Sequence, residues 1–247
     1  LTSLLLTGLL PLSQAGAAQS VHDAIAAAIA DPARPDADRQ QDANRKSLEV
    51  LTFAGVKPGD KVADFIPGGG YVTRLLSKIV GKNGHVYAVV PDELFAMKGD
   101  ADKAVKTTAA DPAYSNVTVL REPVNRFKAP EKLDLVWTSM NYHDLHDPFF
   151  GPADLTAVNK AVFNALKPGG IYLVLDHAAA AGADLLDTNT LHRIDPEAVK
   201  KEVLAAGFVL DAQSDVLHNP NDDHTAKVFD PAIRGKTDKF IFKFSKP

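Results

Sequence analysis

An α/β fold on a mostly parallel sheet is what this sequence predicts, and three observations carry the prediction. From residue 56 onward, short apolar β-type runs alternate with helical repeats; two parallel strands need a crossover between them, and a helix supplies it. Turn residues punctuate the alternation at Lys57-Pro58-Gly59-Asp60 and Lys167-Pro168-Gly169-Gly170. With 247 residues, 45% hydrophobic and 23% charged, the chain can bury one core of the larger single-domain kind.

Residues 21–30 read as an Ala-rich helix that stops at Asp31-Pro32, because the residue before proline is pushed out of the helical region. Asp36 is placed to cap a second helix running to about Ala54, with Gly55 as its stop. Strand one is read at 61–66, followed by a helix whose Val72, Leu75, Leu76 and Ile79 recur at i, i+3, i+4 and i+7. Then come strand two at 85–90, a helical stretch at 92–110, strand three at 117–120 with a loop after it, and strand four at 133–139. A helix at 153–166 leads to strand five at 171–175. Asp195 caps the next helix, with Pro196 at its first position and Gly207 just past its end. Strands at 208–217 and 238–244 close the chain around a long loop, 219–237, and long loops in compact domains are functional or disordered.

Residues 1–17 read as an export signal: a Leu-rich run, then the small-x-small triplet Ala15-Gly16-Ala17. Residues 18–55 form a helical extension and 56–247 the main domain. The leading apolar run is interrupted by Thr7, Gly8 and Pro11 and is shorter than the roughly 20 residues a span requires, so no stable membrane span is expected. The absence of cysteine suits an oxidising compartment, which makes a periplasmic or secreted location the expectation. A net charge of −4 without a basic stripe argues against a nucleic-acid partner, whose phosphates reward clustered Lys and Arg.

In parallel sheets ligands bind beyond the carboxyl ends of the strands. There the sequence places Asp64-Phe65-Ile66-Pro67-Gly68-Gly69-Gly70-Tyr71, a strand-to-helix turn whose glycines let backbone N–H groups approach an anionic group. This is no dinucleotide fingerprint, since the third glycine of G-x-G-x-x-G would fall at Thr73. The Asp-x-x-x-Gly-x-Gly pattern, the Leu-Lys-Pro-Gly-Gly turn before strand five and the strand pair after Ala-Ala-Gly-Phe resemble class I S-adenosylmethionine (SAM) dependent methyltransferases over about residues 40–247. Within that superfamily, Asn141-Tyr142-His143-Asp144-Leu145-His146, His192-Arg193-Ile194-Asp195-Pro196 and the segments from Asp222 to Lys236 resemble a group of exported, predicted bacterial methyltransferases. The resemblance implies a Rossmann-like seven-stranded sheet, mostly parallel with the last strand antiparallel, and SAM as cofactor.

By the same resemblance Asp64, Gly68, Gly69, Gly70 and Tyr71 surround the amino-acid end of SAM. Glu122 and Asn125 lie near adenine, and Ser139 and Asn141 flank the methionine part. Two positions depart from the superfamily: Ile66 stands where its first glycine belongs, and Val90 where an acid accepts from the ribose hydroxyls. Asp92 or Glu93, in the next turn, is the candidate substitute.

A second constellation is read from the residues themselves: His143, Asp144 and His146 follow strand four, and Asp176 and His177 follow strand five. Imidazole titrates near neutrality, so His143 is the expected base, with Asp176 and His177 orienting it. His192 and Arg193 are placed to meet an acidic group of a small-molecule substrate, and His224 and Arg234 to reach in from the long loop. Methyl transfer to an oxygen or nitrogen nucleophile is the leading reading. A binding protein on the same scaffold, and a metal-assisted hydrolase or isomerase using His143, His146 and His177, stand beside it; no metal ligands are assigned.

Overall fold

A computed structural model describes residues 12–151 and 153–247. Residues 1–11 of the expected export signal lie outside the described residues, while its last part begins helix α1 (Leu12–Ala30). Among the described residues no helix is long and apolar enough to cross a membrane.

The single helix expected over 36–54 is three: α2 (Asp36–Arg39), α3 (Asp42–Arg45) and α4 (Ser47–Ala54). Pro35, not Asp36, precedes the first turn, and Lys46 breaks the run by turning left-handed at φ 44°. The cause is local wrapping around the Asp42 carboxylate. The buried Arg34 forks onto it at 2.7 and 2.9 Å, and Tyr71 and Ser47 donate to it from the other side. Gly55 ends α4 at φ 76°, a left-handed cap that glycine adopts without a Cβ penalty.

The domain then follows as β1 (Lys61–Phe65), α5 (Tyr71–Val80), β2 (His85–Pro91), α6 (Leu94–Met97), α7 (Lys103–Ala110), β3 (Val117–Glu122), β4 (Leu133–Ser139), α8 (Leu155–Ala165), β5 (Leu166–His177), α9 (Thr188–Leu191), α10 (Pro196–Ala205), β6 (Val209–Ser214) and β7 (Lys239–Ser245). The stretch expected to be helical over 92–110 breaks around Gly99, and β3 runs two residues further because Pro91 pairs with Glu122. The Lys167–Gly170 turn lies inside β5 as a bulge, where the register jumps from Leu133↔Leu166 to Leu135↔Ile171. Asp195 caps α10 through the Glu197 N–H, with Pro196 at the first position.

The sheet order is β3-β2-β1-β4-β5-β7-β6, with β7 antiparallel to both neighbours and the other strands parallel to one another. Strand side chains alternate between faces. Val62, Val86, Leu135, Leu173 and Ile241 therefore pack with α1, α4 and α5. Phe65, Val89, Val136, Val174 and Phe242 pack with α8 and α10 on the other face. Strand order reverses between β1 and β4, and the crevice at that switch point is where an open α/β sheet binds ligands.

Candidate active site

The bend after β1 is backbone held in a costly shape. Ile66 has φ 63°, where a β-branched residue pays roughly 1–2 kcal/mol. Both its backbone groups are tied: its N–H donates to Val89 O at 3.0 Å, and its carbonyl accepts from Asn141 Nδ2 at 2.8 Å. Gly68 (φ 54°) and Gly70 (φ 78°) complete the bend. At Gly70 a Cβ would lie 2.9 Å from Arg74 Nη1, so a side chain there is strained by its left-handed φ and would displace the Arg74 guanidinium. At Gly68 and Gly69 a Cβ would meet nothing within 4 Å, because these residues face open space. Beneath them Asp64 is buried and accepts from Thr73 Oγ1 at 2.6 Å. Burial pushes its carboxyl up to about 6, against the Thr73 hydrogen bonds and the charges of Arg74 and Arg45.

The open space is a cavity of about 790 Å³, within the roughly 300–1,000 Å³ range of small-molecule sites. The N-terminal helices form its roof. Arg45 lies over the Tyr71 ring at 4.3 Å, its Nε donating to Gln41 Oε1 at 3.0 Å. The roof is bolted to α5 by a buried pair: Arg74 Nε and Nη2 donate to Asp38 at 2.6 and 3.0 Å. Trp137, Ser139 and Asn141 line the β4 side. Two buried polar atoms in that wall have no partner, Asn141 Oδ1 and Trp137 Nε1.

At the other end lies the imidazole group. His143, 3% exposed, is held at both backbone and ring by Asp176, which accepts from its N–H at 2.8 Å and faces its Nδ1 at 2.9 Å. Its Nε2 stands 3.1 Å from Asp144 Oδ1. Burial alone would lower the imidazole pKa, but Asp176 and Asp144 outweigh it and raise it to about 10. The two flanking carboxylates thus favour the protonated ring, with Asp176 as the partner that orients it. Burial likewise works against the Asp176 charge, and His143 overrides it, keeping the carboxyl below its usual range.

His192 stands edge-on to the His143 ring at 5.5 Å and against Phe229 at 4.9 Å, from a left-handed position at φ 56°. His177 lines the cavity, yet its Nδ1 pairs with Thr237 Oγ1 at 2.8 Å and its ring centre is 6.2 Å from that of His143. Burial drives it down to about 3, so it is neutral. The orienting partner of His143 is Asp176, and no hydrogen bond joins His143 to His177.

The structure thus gathers Asp64, Gly68, Gly69, Tyr71, Ser139, Asn141, His143, Asp144, His177, His192 and Arg234 around one cavity. Other expected residues lie elsewhere. His146 faces Glu202 at 3.2 Å, away from the cavity. Arg193 is fully buried, donating to Ala226 O, Ala178 O and Asp222 at 2.9–3.0 Å, so its fork is spent on holding the chain. His224 pairs with Asp238 at 3.0 Å. Asp92 pairs with Arg121, Asn125 Oδ1 accepts from the Asp154 N–H, and neither these two nor Glu122 lines the cavity. The lining residues that were not anticipated include Arg45, Arg74, Trp137 and Lys239. Lys239 left a trace in the sequence, as a cation beginning the last strand, and the register sets it opposite His177.

No family model matches the chain. Over 133 residues it is 32% identical to a protein-L-isoaspartate O-methyltransferase from Methanosarcina mazei, covering 51% of this chain and 43% of that protein. Over 130 residues it is 33% identical to the ubiquinone/menaquinone biosynthesis C-methyltransferase UbiE from Chromobacterium violaceum, covering 51% and 47%. The chain spans less than half the length of these curated relatives. Its fold is similar to that of a SAM-dependent methyltransferase from Aquifex aeolicus, with a TM-score of 0.58 and 20% identity over 81% of this chain and 88% of that one. The chain thus carries the Rossmann-like fold of the class I SAM-dependent methyltransferases, and half of it is similar in sequence to members of that superfamily.

Proposed function

We propose that the cavity binds SAM and that the protein passes the SAM methyl group to an oxygen or nitrogen nucleophile of a small molecule. The observation that carries this reading is the bare glycine bend, with an unpartnered acceptor, Asn141 Oδ1, beside it and the Arg45 guanidinium lining the same cavity. These groups fit the zwitterionic end of SAM. Asn141 Oδ1 and the Asp64 carboxylate would accept from its ammonium, while Arg45 and the bend's N–H groups would hold its carboxylate. At the nucleoside end Val90 is buried and Asp92 is engaged by Arg121, so no β2 carboxylate meets the ribose and affinity rests on the amino-acid end.

When bound, SAM supplies an electrophilic methyl on a sulfonium. The chain supplies position: a cavity bounded on one side by the roof and on the other by the His143–Asp144–His192 wall, which would align the acceptor. Such alignment is worth several kcal/mol. His143 Nε2 and the part-exposed Asp144 beside it are the groups placed to take the acceptor's proton. The exported location inferred from residues 1–17 belongs to the same proposal and is tested by cell fractionation.

Gly69→Val provides the direct test. Its side chain enters empty space and leaves the fold intact, yet it occupies the volume assigned to the ligand. Calorimetry should show saturable SAM binding to the wild type and a loss of at least tenfold in the variant. No heat from wild-type protein at millimolar SAM would remove the reading. Transfer of labelled methyl to RNA, with none to small molecules, would reassign the acceptor.

A further inference from the structure

We infer that His143 Nε2, Asp144 Oδ1 and His192 form a binding site for one divalent transition-metal ion, of the zinc and iron class, at the acceptor end of the cavity. Among the described residues these are the one group of three whose ligand atoms converge, all within 4.8 Å of one another. Asp144 Oδ1 lies 3.1 Å from His143 Nε2 and 3.8 Å from His192 Nδ1. Ligand atoms about 2.1 Å from a common ion can be no more than about 4.2 Å apart, so the trio closes on an ion with a movement well under an ångström.

Three independent features favour a metal over chance crowding. The first is the partner on the far side of His143. Asp176, wholly buried, faces Nδ1 at 2.9 Å and also takes the backbone N–H at 2.8 Å. A carboxylate on one imidazole nitrogen fixes the ring and leaves the other nitrogen as the ligand, the arrangement that supports metal-bound histidines. The second is His192, a non-glycine residue in the left-handed region, whose ring is braced between His143 and Phe229. Strain of that kind persists where the surroundings over-determine it, and it clusters at ligand clamps. The third is composition: two imidazoles and one carboxylate, with the remaining positions open to the cavity, is a donor set that divalent zinc and ferrous iron accept.

An ion on His143 Nε2 takes the place of a proton at that atom, while Asp176 still faces Nδ1. The site stands on this geometry alone. Joined to the methyl-transfer reading, on which this clause depends, it assigns the acceptor to molecules that present an oxygen donor to a metal, such as a hydroxyl or carboxylate.

The test is equilibrium dialysis of the metal-stripped full chain against Zn²⁺, with Co²⁺ absorption as the spectroscopic readout, both without SAM. The expected result is one ion per chain, with affinity reduced at least 100-fold in Asp144→Asn and in His192→Ala. Asp176→Asn should weaken binding about 10- to 100-fold by releasing the ring. His146→Ala and His224→Ala, outside the trio, should bind as the wild type does. Because His192 is left-handed, His192→Asn, which tolerates that conformation, serves as the second variant if His192→Ala fails to fold. No Co²⁺ band, or a stoichiometry that survives both His192→Asn and Asp144→Asn, overturns the site. SAM calorimetry in chelator is run separately, so SAM binding with no metal binding sinks this inference alone, and the reverse sinks only the methyl-transfer reading.

Discussion

The Asn141 side chain joins two jobs through one amide. Its Nδ2 pins the carbonyl of the strained Ile66, and its Oδ1 is left for a ligand. Asn141→Ala should therefore cost about 1–3 kcal/mol in urea unfolding, because a buried carbonyl loses its donor, and should weaken SAM binding as well. Arg45→Ala should spare the fold more than the ligand: losing a charged hydrogen bond worth roughly 1.5–3 kcal/mol lowers SAM affinity about 10- to 100-fold by calorimetry. Asp64 sets a pH dependence. Its folded pKa, about 6, lies above the unfolded 3.8, so between these values the folded chain holds the extra proton. Stability contributed by Asp64 is then present at low pH and is lost as pH rises through 6, on the order of 3 kcal/mol in total. Denaturant midpoints of wild type minus Asp64→Asn across pH 4 to 7 measure it, and a difference that grows with rising pH in favour of the wild type would contradict it.

Between elements, buried ion pairs fix the geometry that the cavity needs. Arg193 ties β5's end to the 219–237 loop through Asp222, with both side chains almost fully buried. Arg193→Met should lower stability by about 3–5 kcal/mol, since Asp222 is left as an uncompensated buried charge, while Arg193→Met with Asp222→Leu should cost less than that single change. Had Arg193 served a substrate, KM would move and stability would not. Here the limits of the sequence are physical. Strands β1, β2 and β4 were legible because their apolar runs and flanking turns are local signals, and the glycine bend followed from its place after β1. The meeting of His143 with Asp176 was legible too, since neighbouring strand ends must lie together. Helix breaks at Lys46 and Gly99 were not, because at Lys46 the break depends on Asp42 collecting Arg34 and Tyr71 across distant chain. The burial of Arg193 and the turn of His146 towards Glu202 were equally hidden: which way a loop side chain faces is a tertiary outcome that residue type does not encode.

At the scale of the molecule, the cavity lies between the sheet and a helical roof, so a ligand bridges two parts of the chain. SAM at about 100 times its dissociation constant should add about 2.7 kcal/mol, which raises Tm by about 5–10 °C for a chain of this size. A thermal scan that shows no shift under those conditions would deny that the bridged state exists. The roof itself is fastened by the buried pair of Arg74 with Asp38 and by Tyr71 to the part-buried Asp42, so its opening would have to break both. Traffic must then pass the half-exposed Phe229 and Met97 at the rim. Departure of spent cofactor becomes a matter of side chains swinging aside, quick and local, and trimming Phe229 to alanine should hasten release while the helices overhead stay shut.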